Sequence, residues 1–215
     1  MSDLTAYIEL KHSKKLVEYN EAIELMESRV NQIALGSNKQ LLWFLEHPPI
    51  YTAGTGSDMK DLLNNEISVH NSGRGGKITY HGPGQRVVYL MLDLKQIYKG
   101  QKPDLHKFVH DLERWIIASL EELGVKSYTK PKMIGIWTKS NEVDTKIAAI
   151  GIRVRKWVSY HGIAINVNPD MNYFKGIIPC GISEFGVTSL KELGIEVPLQ
   201  SLDEILSTKF KEIFL

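Results

Sequence analysis

The chain has 215 residues, 43% of them apolar and 24% charged, which suits a protein able to bury a sizeable core. Lys plus Arg number 26 against 25 Asp plus Glu, a net charge of +1 that gives no global reason to expect nucleic-acid or membrane binding. The single cysteine, Cys180, rules out an intrachain disulfide and argues against a Cys-based zinc site.

Residues 1–15 mix acidic and basic residues with apolar ones and lack the pattern of a secretory or transit peptide. No apolar run approaches the length of a membrane span. A reducing, cytoplasmic setting is therefore the expectation, with the chain working as a monomer. No repeat or Pro/Gly/Ser linker divides it, so a single domain over residues 1–215 is expected.

Ser13 to Leu35 reads as an amphipathic helix, with Ala22, Ile23, Met26, Val30 and Ile33 on one face and Gly36 beyond its end. Gln40 to Leu45 reads as a short apolar strand ended by His47-Pro48-Pro49. Arg86 to Leu94 is too apolar to alternate and predicts a strand buried on both faces. A helix from Asp104 to Leu123 follows, with Asp104 as N-cap and Gly124 closing it.

Met133 to Thr138, Lys146 to Val154 and Trp157 to Val167 then predict two hairpins with short turns. A last helix is expected from Ser201, where Ser201 and Glu204 form a capping-box pattern. Strands interrupted by long helices without regular βαβ alternation indicate an α+β fold, one mixed sheet with helices packed on it.

The densest chemical signal is Gly73 to Gln85, GRGGKITYHGPGQ, in which five of thirteen residues are glycine. Such a segment lets backbone N–H groups approach a ligand. It is neither a Walker loop nor a G-x-G-x-x-G fingerprint, and a turn-rich loop is its bland alternative. A lone cysteine is more often a small buried hydrophobe, but Cys180 sits between Pro179 and Gly181 rather than in an apolar run, which fits a nucleophile whose neighbouring amide serves an oxyanion.

A thiol needs a cation or base beside it, and Lys146, His81 and His161 are the candidates. The bland readings are a solvated strand-end lysine and a hydrogen-bonded core histidine. His106 and His110 are spaced i, i+4 but lack the Glu of H-E-x-x-H and a third ligand, so no metal site is read.

Arg74 to Gln85 resembles the signature of the octanoyl-[acyl-carrier-protein]:protein octanoyltransferases, also called lipoyl(octanoyl) transferases. Lys146 to Arg153 is similar to that family's lysine strand, Tyr160 to Val167 to its next strand, Pro179-Cys180-Gly181 to its nucleophile turn and Glu46 to Thr52 to an upstream segment. The resemblance implies a fold like the catalytic domains of biotin protein ligases and lipoate-protein ligases. It also implies an ATP-independent transfer with Cys180 as acyl-thioester nucleophile and Lys146 as its activating lysine, without a cofactor or metal.

Substrate contacts would fall on Arg74, Gly75, Gly76, Lys77, Ile78, Thr79, Tyr80 and His81, on Ala149, Ile150 and Gly151, and on Gly162, Ile163 and Ala164, with His161 in support. The implied donor is octanoyl-acyl carrier protein. The implied acceptors are lipoyl domains of 2-oxoacid dehydrogenase E2 subunits and the glycine-cleavage H protein.

One departure is Ala53-Gly54-Thr55-Gly56, where the family commonly has a bulkier residue, then Gly and a basic residue. Arg153 and Arg155, sharing a strand face, would form with Lys156 either a patch for an acidic carrier or a solvated edge. The competing readings are an ATP-dependent ligase, a non-catalytic acyl-binding module and a Cys–His hydrolase.

Overall fold

The computed structural model describes residues 8–64, 66–178 and 185–215. Its first strand, β1 (Ile8–His12), pairs in parallel with β2 (Gln40–Leu45), and helix α1 (Tyr19–Ala34) lies between them in sequence. The helix starts six residues later than its periodicity predicts. Ser13 and Val17 donate their N–H groups to Phe44 O and Glu46 O instead, so the connection is held along the end of β2. Beyond Ala34 the chain closes at Gly36, which adopts φ +70° as expected of a helix-ending glycine.

β6 (Gln85–Met91) is buried along its whole length, as its unbroken apolar run predicts. It ends three residues early, because Asp93 accepts from Lys95 N and starts the short helix α2 (Leu94–Ile97). Helix α3 (Leu105–Glu121) begins as read, with the Asp104 carboxylate accepting from His106 N and Lys107 N.

The two hairpins are present. β7 (Ser127–Lys130) precedes β8 (Met133–Ser140), β9 (Val143–Arg155) and β10 (Val158–Asn166). Their tight turns place Asn141 and Glu142, then Lys156 and Trp157, at positive φ, the backbone required by a two-residue turn between twisted strands.

These strands form one sheet in the order β1-β2-β6-β10-β9-β8-β7, with the short β11 (Gly186–Val187) parallel to β9. β10 leaves β9 at Ala148, and β11 takes the same edge at Thr145 and Lys146.

One face carries α3 and the C-terminal helix α4 (Leu199–Phe214) over a core that includes Phe44, Val88, Trp115, Ile163 and Phe210. α1 covers part of the other face, setting Ala22, Met26, Val30 and Ile33 against Leu41, Trp43, Val87 and Tyr89. The capping-box pattern does not start α4. Pro198 occupies its N-cap and fixes the entering chain, leaving Ser201 inside the helix.

The fold differs from a single sheet in one respect. A second sheet, β4-β3-β5, is formed by β4 (Val69–Asn71), β3 (Ile50–Ala53) and β5 (Thr79–His81) around Tyr51, Ile78, Tyr80, Phe174 and Ile177. Its strands β4 and β5 flank residues 73–78 of the glycine-rich segment. Among the described residues no helix is long and apolar enough to cross a membrane.

Candidate functional site

β9 is thirteen residues long, but β8 pairs with it only as far as Ala148. Its edge beyond that point is open, and the glycine-rich segment closes part of it: Gly75 N donates to Ile152 O at 3.0 Å. Strand alternation turns the N–H and C=O of Ile150 toward the same open side. Between this edge, β10 and the glycine segment lies a cavity of about 420 Å³.

The cavity brings together most of the residues singled out from the sequence. Arg74 to Thr79, His81, Lys146, Ala149 to Gly151 and His161 to Ala164 all line it. Tyr80 does not line it; its ring is buried in the second sheet's core, 4.9 Å from that of Tyr173. Cys180 lies outside the described residues. The chain on either side of 179–184 is at the cavity, because Phe174 and Val187 both line it.

Lys146 is 6% exposed. Its Nζ donates to Ile134 O at 2.9 Å and stands 5.0 Å from the centroid of the Trp137 ring. The edge of Phe185 meets the same ring at 5.5 Å. The lysine is therefore a held internal group, not the solvated strand end of the bland reading.

Arg74 is folded into the protein, not extended to solvent. Its Nη2 donates to Thr52 O and Oγ1 at 2.6 and 2.7 Å, and its Nη1 donates to Gly75 O at 2.9 Å. The departure at Ala53 to Gly56 is part of this arrangement. Thr55 N and Gly56 N donate to Arg74 O and Gly76 O, and a Cβ on Gly54 would stand 2.3 Å from Gly76 O.

At the far end of β9, His161 adopts φ +58°, a left-handed backbone that is uncommon for a residue other than glycine. Gly162 follows, where a Cβ would stand 2.0 Å from Val88 O. Burial first, then Arg74 and Arg153, push the His161 imidazole down to about 3. Burial, followed by His47 and Arg74, pushes His81 down to about 3, although Gln85 Oε1 lies 2.6 Å from its Nδ1. Both rings are neutral near pH 7 and poor proton acceptors there.

Arg153 and Arg155 do not line the cavity. Arg153 packs on Gly73, with a Cβ there only 2.0 Å from its Nη1, and Arg155 pairs with Glu27 at 3.3 Å. Sequence reasoning missed Tyr19, Val87, Tyr89, Asn166 and Phe174 among the lining residues. A usable signal was the lone hydroxyl of Tyr89 within an otherwise apolar buried strand, which His47 Nε2 meets at 2.7 Å.

Residues 18–211 match the family model of the lipoyl protein ligase A/B catalytic domain. An octanoyltransferase from Wolbachia pipientis wMel is 49% identical over 202 residues, covering 94% of this chain and 97% of that protein. The chain belongs to the octanoyltransferase family.

Its fold is shared more widely. A bi-partite lipoate protein ligase from Thermoplasma acidophilum superposes with a TM-score of 0.65 at 16% identity, over 96% of this chain and 84% of that one. The biotin protein ligase from Aquifex aeolicus gives 0.58 at 14% identity, over 97% and 70%. Those two likenesses concern the fold, which agrees with the α+β expectation drawn from the order of strands and helices and with the ligase-like fold that the family resemblance implies. This chain therefore shares its scaffold with those two ligases.

Proposed function

We propose that this chain transfers an octanoyl group from octanoyl-acyl carrier protein to a lysine of lipoyl domains, through a thioester on Cys180 and with Lys146 as proton acceptor. The observation that carries the reading is an apolar-walled cavity with one buried lysine at its β8 end. The acceptors on this reading are the lipoyl domains of 2-oxoacid dehydrogenase E2 subunits and the glycine-cleavage H protein, and the chain acts as one catalytic domain.

The Cys180 thiol passes its proton to the lysine, and the thiolate attacks the carbonyl carbon of the carrier thioester. The tetrahedral intermediate collapses with loss of the carrier's thiol, which takes up the proton. One thioester replaces another, so this step needs no nucleotide. The acceptor lysine then attacks as a free amine, an amide forms, Cys180 leaves as thiolate, and the excess proton of the attacking nitrogen passes to Lys146.

Backbone N–H groups beside Gly76 and Gly151, both at the cavity, suit the developing oxyanion. Ala149, Gly162 and Ala164 offer a smooth apolar wall to an alkyl chain.

Mixing the protein with octanoyl-acyl carrier protein and no acceptor tests the reading by intact mass. An octanoyl adduct that hydroxylamine removes and that Cys180→Ser lacks is the expected result. A folded protein that acylates an acceptor at full rate as Cys180→Ala would overturn the covalent route.

A further inference from the structure

Tyr19, the first residue of α1, is 3% exposed and lines two separate cavities. One is the acyl cavity described above. The other is a cleft of about 220 Å³ walled by Glu18, Asn20, Ile50, Ser68, Val69 and His70. The ring is thus a partition between them, wedged among His70 at 4.8 Å, His47 at 5.3 Å and His81 at 6.5 Å. We infer that Tyr19 is the end stop of the acyl slot and sets the longest chain the site accepts; this rests on the acyl-transfer reading above.

The length of the slot supports the assignment. Lys146 Nζ lies level with Ala148, since a Cβ on Gly135 would stand 2.8 Å from Ala148 O and 3.1 Å from Nζ. From there the wall runs along β9 to Ile152, which pairs with His161 beside Tyr89. Those four residue steps span about 13 Å. Carbon–carbon bonds of about 1.5 Å at tetrahedral angles advance a chain about 1.25 Å each, so an eight-carbon acyl group with its carbonyl runs about 10 Å.

An octanoyl chain therefore fills the slot with room for about two further methylenes, and a twelve-carbon chain meets the tyrosine. The end of the slot is also polar. His161 Nδ1 is buried without a hydrogen-bond partner among the described protein groups, a polar atom that an advancing alkyl chain does not satisfy.

The test is the chain-length profile of wild type, Tyr19→Ala, Tyr19→Leu and Tyr19→Phe, read two ways: kcat/KM with hexanoyl to tetradecanoyl carrier proteins, and calorimetric binding of the matching free fatty acids. Wild type should fall sharply beyond ten carbons. Removing the ring joins the two cavities, so Tyr19→Ala should raise the dodecanoyl-to-octanoyl ratio at least tenfold, at about fourfold per methylene newly housed. Tyr19→Leu should show a smaller shift, and Tyr19→Phe should keep the wild-type ratio.

Unchanged ratios in folded Ala and Leu variants would overturn the inference, as would a Phe variant that shifts as far as Ala. If no donor acylates the wild type, the transfer reading fails on its own, while the fatty-acid series still reports whether Tyr19 ends the slot.

Discussion

The stem of Lys146 crosses β8 over Gly135, where a Cβ would lie 3.0 Å from its Cε and 3.1 Å from its Nζ. Gly135 has φ +126°, and the β8–β9 register shifts one residue further on, between Ile136 and Trp137. The irregularity brings Ile134 O to Lys146 Nζ, so the strand is shaped around the lysine.

Gly135→Ala should therefore displace the amine as well as strain the backbone. A shift near 1 Å in a catalytic group can cost about 100-fold in rate. The expected result is a loss of that order in kcat, with a melting-temperature drop matching about 1–3 kcal/mol of backbone strain. Single-turnover acyl transfer and thermal melts on the same preparation measure both. A variant as unstable as this yet fully active would show that the lysine's position is immaterial.

Acid should unfold the protein through its buried histidines. Burial lowers His47 to about 4, and His81 and His161 to about 3. An unfolded histidine near 6.5 binds a proton first as pH falls, so the unfolded state carries more protons between 6.5 and the folded values. Stability from these groups is complete above pH 6.5 and declines below it, by up to about 1.4 kcal/mol per pH unit for each ring. Urea midpoints between pH 7.5 and 4.5 should fall steeply, and His47→Gln should flatten the slope. A midpoint independent of pH over that range would contradict the burial of these rings in the neutral form.

The parts of the site legible in the sequence were those whose chemistry is local. The glycine segment, the lysine strand and the His161 strand announce themselves by residue type, and all three line the cavity. Tyr19 gave no such signal and Tyr89 only its lone hydroxyl in an apolar run, because their place at the cavity depends on α1 crossing the sheet at β6 and β10. The second sheet was missed for a related reason. Strands of three or four residues such as Val69–Asn71 carry too few positions to show alternation, and their pairing is fixed by long-range contacts with Ile50–Ala53. At α4 the local capping pattern at Ser201 was real but outweighed, since Pro198 starts the helix and Asp203 is drawn into the sheet's charge network.

That network gives the next prediction. Asp203 Oδ1 lies 2.9 Å from Arg86 Nε, both side chains 7% exposed, and Asp203 Oδ2 lies 3.0 Å from His12 Nδ1. Removing one partner of a buried pair leaves the other charge uncompensated, which costs about 3–5 kcal/mol. Asp203→Ala should lose stability of that size and loosen α4. Arg86→Met combined with Asp203→Leu should recover most of it, because the desolvation cost disappears with both charges. Chemical denaturation of the two variants beside wild type measures the coupling; equal losses in the single and double variants would mean that the ion pair is not what anchors the helix.

The glycines beside β3 separate packing from chemistry. Gly54 touches the glycine segment so closely that a Cβ would stand 2.3 Å from Gly76 O and 2.8 Å from Arg74 Nη1. At Gly56 the nearest atom would be Gly76 O at 3.5 Å, an ordinary contact. Because the obstacle at Gly54 is backbone, it cannot swing aside, and the whole segment must move. Gly54→Ala should push Gly75 and Gly76 into the cavity and lower kcat/KM for the acyl donor at least tenfold, whereas Gly56→Ala should leave it within about twofold. Steady-state kinetics on the pair, with circular dichroism to confirm folding, decides the matter. Equal activity in both would mean that the segment tolerates displacement and that its tight seating on Gly54 does not position the substrate.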